Sequence, residues 1–167
     1  MKYKVLRKQE NSRDCLVCGL ENPYGLKASF YELENDELVA IFEPHNHLQS
    51  YPGRLHGGIA GAILDETIGR AIMIQDPKLF GVTVELALKY KKPVPLNVPL
   101  KVVGRITNVK SRTFEGSGEI LLENGEVAVT ATGKYFKMAV DKISDMGTEE
   151  MDWEVFEEEN DPEHFVY

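Results

Sequence analysis

Apolar residues follow two periods along this chain, and the change from one to the other marks its elements. From Leu55 to Met73 the stretch LHGGIAGAILDETIGRAIM opens on His56-Gly57-Gly58. It then runs without a proline, nearly all Ile, Leu, Ala, Met or Gly, until Asp76-Pro77 stops it. An apolar run this long predicts a helix, and one apolar almost all round predicts a buried helix. Elsewhere the period is two. Leu26 to Leu33 and Leu38 to Phe42 read as strands joined by Glu34-Asn35-Asp36. Phe80 to Lys91 alternates throughout, with Val82, Val84, Leu86, Leu88 and Tyr90 on one face and Thr83, Glu85, Ala87 and Lys89 on the other. Pro93, Pro95 and Pro99 punctuate the next turn, and Leu100–Val109, Thr113–Leu122 and Val127–Phe136 are three further strands. Asn124-Gly125 is a type I′ hairpin signal between the last two. The order is strands, one buried helix, then four antiparallel strands. A flat sheet cannot cover a helix, so this α+β pattern requires a sheet that curls around it.

Within the helix, Gly57, Gly61, Asp65 and Gly69 fall on one i, i+4 row. Each interior glycine costs up to about 1 kcal/mol relative to alanine. Three of them imply close approach by a strand, a second helix or a ligand. Glu66 has Arg70 one turn on and can pair with it, whereas Asp65 has Gly69 there and no local cation. A buried carboxylate without a local partner either pairs at a distance or has a raised pKa, and both conditions are commoner at functional sites.

The chain has 167 residues, enough for one domain, and a net charge of −8. That balance argues against nucleic acid as the main partner, since phosphate binding needs a basic surface. No apolar run reaches the roughly 18 residues of a membrane span, and the start, MKYKVLRKQENSRD, has no apolar signal core. No membrane association and a cytoplasmic location are the expectations, consistent with only two cysteines. Met1 to Asp14 is polar and basic, with Tyr3, Val5 and Leu6 as anchors for a short element. From Gly147 onward acidic residues crowd around Trp153, Val155 and Phe156. This predicts a solvated acidic tail with a short helix packed by Trp153 and Phe156 on the outer sheet face or a neighbouring subunit. Three segments result: 1–25 with the CxxCG turn, a domain over 26–137, and the tail 138–167.

Cys15 and Cys18 have zinc-knuckle spacing, but no second cysteine pair exists. His45 and His47 could complete a Cys2His2 set, though their spacing is shorter than usual. Structural thiols are the expectation, with no metal and no cofactor.

Several motifs point the same way. His56-Gly57-Gly58, with Asp65 nine positions after the histidine and Thr83 opening the next strand, resembles the hot-dog fold thioesterases of the phenylacetate-degradation type. So do Cys15-x-x-Cys18-Gly19-x-x-Asn22-Pro23-x-Gly25-Leu26, Tyr51-Pro52-Gly53 ahead of HGG, and Lys89-Tyr90-Lys91-Lys92-Pro93-Val94-Pro95. The resemblance spans roughly residues 15 to 137. It implies a hot-dog fold, a curved antiparallel sheet of five to six strands around one long central helix. It implies a homodimer or dimer of dimers, and hydrolysis of an acyl-coenzyme A thioester, with coenzyme A entering only as part of the substrate. Carried over by position, Gly57 is the residue whose backbone N–H polarises the thioester carbonyl. His56 helps shape that site, with Gly58 beside it. Asp65 is the general base or nucleophile, and Thr83 helps place the water. Many members have an Asn six residues before the histidine; here Ser50 stands there, and Gln49, which can donate and accept, is the expected replacement.

A helix N-terminus does offer free N–H groups and a positive dipole end to an oxyanion, and water needs a base. Gly57 and Asp65 lie roughly 12 Å apart along a helix rising 1.5 Å per residue, too far to serve one thioester. Two antiparallel helices related by a two-fold axis can each lend one end, so the site is expected to be shared between subunits. Lys91, Lys92, Lys110 and Arg112 are candidates for the coenzyme A phosphates. Two alternatives stand beside this: a non-catalytic acyl-CoA-binding hot-dog module, and a 3-hydroxyacyl thioester dehydratase, which needs a His and an acidic residue in its tunnel.

Overall fold

The computed structural model describes residues 1–143 and 152–167. Its strands are β1 (Lys2–Lys8), β2 (Ser29–Leu33), β3 (Leu38–Phe42), β4 (Leu79–Tyr90), β5 (Leu100–Val109), β6 (Thr113–Leu121), β7 (Val127–Ala139) and β8 (His164–Val166). The long helix α1 (Gly57–Arg70) continues into a 3-10 turn, Ala71–Ile74, and a single helical turn, α2 (Val140–Ile143), follows β7. The strands form one 8-stranded antiparallel sheet in the order β4-β7-β6-β5-β3-β2-β1-β8. The hot-dog arrangement is the expected one, but the sheet has more strands than five or six. The additions are the terminal strands β1 and β8, which pair with each other. Only Tyr3 and Val5 carry the inward face of β1, between lysines, so its period-two signal was weak.

Ile63, Leu64 and Ile68 of α1 are fully buried against the concave face, with Phe30, Phe114, Ile120 and Tyr135 around them. A second cluster of Tyr31, Leu33, Val39, Val103, Leu121 and Phe165 covers the convex face. The middle strands are therefore buried on both sides, and Leu38-Val39-Ala40 is continuously apolar for that reason. The closest approach of helix to sheet is made by glycines of the sheet. A Cβ on Gly104 would lie 2.9 Å from the Thr67 carbonyl oxygen, and one on Gly116 would lie 2.5 Å from Ile68 Cγ2. The helical glycine row faces a strand: a Cβ at Gly57 would meet Tyr90, at Gly61 Leu88, and at Gly69 Tyr135. Within the chain the row thus serves contact with β4 and β7, not with another helix. Gly104→Ala presses a methyl into helix backbone that cannot swing away. We expect it to cost about 1–3 kcal/mol, read as a lower midpoint in denaturant melts, while Gly61→Ala, at 3.6 Å from Leu88, is tolerated.

The alternation read along β4 is broken. Thr83 pairs with Tyr135 and Glu85 with Lys134, so Val84 is an extra residue in a β-bulge. Before the bulge, Gly81 and Thr83 face the helix; after it, Leu86, Leu88 and Tyr90 do. An unbulged strand would turn Thr83 away from α1. β4 is also a sheet edge, and Val84 on it is 50% exposed.

The tail departs from the expected solvated helix. Asn11 and Glu154 exchange backbone hydrogen bonds of 2.8 and 3.1 Å, Arg13 pairs with Asp152 at 2.6 Å, and Lys8 pairs with Asp161 at 2.7 Å. Basic N-terminal residues thus hold acidic tail residues. The convex face is covered by Phe165, while Phe156 is exposed. Trp153 packs on Phe80, with ring centroids 5.2 Å apart, near the C-terminal end of α1. Glu149 and Glu150 lie outside the described residues.

Candidate active site

Asp65 is half-buried on α1, and two side chains aim at it. Thr83 Oγ1 donates to its carboxylate at 3.0 Å from each oxygen, and Tyr135 Oη lies 3.1 Å from Oδ1. Among the described residues no cation pairs with it. Burial raises the Asp65 carboxyl above the ordinary carboxylate value, and the two hydrogen bonds pull it part of the way back. Tyr135, pushed up by burial and by the neighbouring carboxylate, stays protonated as a donor. Sequence reasoning placed Thr83 beside Asp65 but missed Tyr135, an inward-facing aromatic on the last long strand. Because Tyr135 stabilises the charged form, Tyr135→Phe should move the acid limb of kcat/KM toward higher pH, since the carboxylate then appears only at higher pH. A pH–rate profile checks this, and a limb that stays or moves down contradicts the assignment.

At the other end of α1, His56 is the N-cap. Its Nδ1 accepts the Gly58 N–H at 2.9 Å, which places the ring proton on Nε2. The Gly57 N–H has no acceptor among the described residues. Tyr90 Oη donates to the Gly57 carbonyl at 2.7 Å and ties the helix start to β4. A cavity of about 430 Å³ opens here, lined among others by Gly57, Ser50, Arg54, Tyr90, Lys91 and Lys92. Arg54 was not singled out in the sequence, and Tyr90 entered only within the Lys89–Pro95 motif and as one of the alternating strand residues. Gln49 does not line this cavity; its Oε1 accepts the Gly53 N–H at 2.9 Å and braces the loop. Lys92 is paired with Glu126. Lys110 and Arg112 sit in the turn beside the Val82 end of β4, since Val82 and Thr113 both pair with Phe136. Within one chain they lie at the opposite end of the strand from Lys91.

A second cavity, of about 250 Å³, adjoins Asp65 and Thr83 and is walled by Phe80, Gly81, Trp153, Glu66, Arg70 and both cysteines. Trp153 therefore belongs to the surroundings of Asp65 and not to the outer face. Arg70 is buried between the rings of Phe30 and Trp153, 4.3 and 4.6 Å from their centroids, and pairs with Glu66 at 2.9 Å as the spacing predicted. The Cys18 thiol is pulled down to about 7, chiefly by hydrogen bonding with Cys15, whose own thiol is pushed up by that bond and by burial. His45 and His47 pack on each other and do not join the cysteines: the grouped ligand atoms found among the described residues are those of Cys15, Cys18 and Glu66.

A helix N-terminus with a free N–H and a half-buried carboxylate further down the same helix are both enclosed by the curved sheet, in a hot-dog fold. The family model of the thioesterase superfamily matches residues 52–129. Acyl-coenzyme A thioesterase THEM4 of Rattus norvegicus is 30% identical over 125 residues, covering 74% of this chain and 53% of the relative. The thioesterase superfamily protein RHA08564 superposes with a TM-score of 0.69 at 27% identity, over 75% of this chain and 60% of that one. The PaaI protein of the Escherichia coli phenylacetic acid degradation operon shares the fold at a TM-score of 0.61 and 15% identity, over 68% of this chain and 81% of that one. The chain spans about half the length of the curated relatives it matches.

Proposed function

We propose that this chain hydrolyses an acyl-CoA thioester to the free acid and coenzyme A, at a site shared by two copies. The observation that carries this is that β4 presents both half-sites on one face: Thr83 holds Asp65, and Tyr90 holds Gly57. Only the bulge at Val84 puts residues of odd separation on the same face. β4 is an uncovered edge, and an edge strand is a template for another strand. Pairing β4 antiparallel with its own copy about Leu86–Ala87 sets Tyr90 opposite Thr83 of the second copy. Gly57 then comes beside Asp65 of the second copy, and the turn holding Lys110 and Arg112 comes to the end where Lys91 lies. The acidic and oxyanion halves meet, and basic residues from both copies collect beside them for the phosphates.

In this site Asp65 takes a proton from water as the water oxygen bonds to the thioester carbon. The developing oxyanion is met by the Gly57 N–H at the positive end of the helix. Collapse breaks the carbon–sulfur bond and expels the coenzyme A thiolate. Oδ1 is occupied by Tyr135 and Thr83, so Oδ2, with Thr83 alone, is the oxygen open to the proton. The acyl group adjoining Asp65 would enter the cavity walled by Phe80 and Trp153. The rat relative is named an acyl-coenzyme A thioesterase, which supports this substrate class. A pure binding module has no need of a carboxylate with raised pKa beside the thioester. No described helix is long and apolar enough to cross a membrane, and the two free cysteines fit a reducing cytoplasmic compartment. The test is a panel of acyl-CoAs assayed with a thiol-trapping reagent. Release of coenzyme A above the uncatalysed rate on at least one member is expected, and tight binding without release across the panel would replace hydrolysis with the binding reading.

A further inference from the structure

We propose that Cys15, Cys18 and Glu66 are three ligands of a site for one thiophilic divalent cation of the zinc class. The proposal concerns the floor of the Asp65 cavity and does not depend on the hydrolysis reading. The two sulfurs and one carboxylate oxygen all lie within 4.8 Å of one another. Cys15 Sγ is 3.3 Å from Glu66 Oε2. A tetrahedral zinc with Zn–S of about 2.3 Å and Zn–O of about 2.0–2.2 Å needs sulfur–oxygen edges of about 3.5 Å and sulfur–sulfur edges of about 3.8 Å. The Cys15–Glu66 edge is thus close to the separation the ion requires, and the other two edges lie within 4.8 Å.

The surroundings fix these donors. Glu66 Oε1 is held by Arg70 Nε at 2.9 Å, and Arg70 is clamped between two aromatic rings. That leaves Oε2 directed at the cysteines, as an outer partner orients a ligating carboxylate. The Val17 N–H points at Cys15 Sγ at 3.3 Å, and Ser12 Oγ lies 3.3 Å from Cys18 Sγ. These contacts hold both sulfurs in place beside Glu66. The turn carrying the pair closes through the Gly19 N–H to the Cys15 carbonyl at 2.9 Å. A Cβ on Gly19 would stand 2.3 Å from that oxygen, so only glycine fits where the turn closes. Two thiolates and a carboxylate around a divalent ion leave one negative charge, which faces Arg70. The fourth position opens to the cavity, where a water fits. An ion here would fasten the N-terminal segment to α1 one residue from Asp65.

The experiment uses the full chain, reduced and stripped of metal, with cadmium as a soft probe and zinc as the native-class ion. Cadmium should produce a thiolate charge-transfer absorption in the ultraviolet that saturates at one ion per chain. Zinc should raise the thermal midpoint in a concentration-dependent way, because it binds the folded state. Cys18→Ser and Cys15→Ser should remove the absorption, and Glu66→Gln should weaken cadmium binding by on the order of tenfold or more. The wild-type titration decides the matter even if a variant fails to fold. No absorption at several-fold excess cadmium overturns the proposal, as does absorption that persists in a folded Cys18→Ser protein.

Discussion

Asp65→Asn should lower kcat by a factor on the order of 10² or more, the scale of a lost acid–base group, while fold and assembly persist. Asparagine keeps an oxygen for Thr83 and Tyr135, so the hydrogen bonds that position residue 65 survive the exchange. What is lost is the ability to hold a proton. Stability separates this from a structural defect. Burial raises the Asp65 pKa, so the group favours the folded state below its unfolded pKa, and that contribution is lost as pH rises through the folded value. A neutral amide is free of that loss. At neutral pH the variant should melt at the same temperature as the wild type or above it. Turnover measured by thiol trapping, beside a melting curve, tests both statements, and near-wild-type turnover on the best substrate would sink the mechanism.

Most of the architecture was legible because the strongest patterns belong to the most buried parts. α1 is apolar almost all round and is enclosed by the sheet, and β6 and β7 kept their alternation. What escaped the sequence is what depends on partners distant in the chain. β1 is a strand because β2 and β8 flank it, and its lysines hid the pattern. The acidic tail looked solvated because its countercharges, Lys8 and Arg13, stand at the other end of the chain. The bulge at Val84 left no mark, since Val-Thr-Val-Glu reads as faultless alternation. Asp65 and Thr83 could be found from their motif, whereas Tyr135 carries no local signature and Tyr90, though inside a motif, shows its contact with Gly57 only in the fold.

Gly57→Pro should be the counterpart at the opposite end of the helix. Proline is well placed at the first position of a helix, where its missing N–H breaks no helical bond. His56 before it is already extended, at φ −63° and ψ 133°, as a residue preceding proline prefers to be. The added Cβ meets only the end of the Tyr90 side chain, 3.3 Å away. The variant should fold, yet it lacks the one N–H offered to the oxyanion, and kcat should fall on the order of 10²–10³. Gly57→Ala adds the same Cβ and keeps the N–H, so it should retain most of the activity; equal loss in both would assign the effect to Tyr90 displacement. The two inactive proteins then test the shared site together. A dimer of one Gly57→Pro chain and one Asp65→Asn chain has both defects in one site and neither in the other. Random re-pairing of equal amounts should restore about a quarter of wild-type activity, since half the dimers are mixed and one of their two sites is intact. Activity that stays at the level of the separate variants, with mixed dimers demonstrated by mass, would place Gly57 and Asp65 of a single chain in the same site.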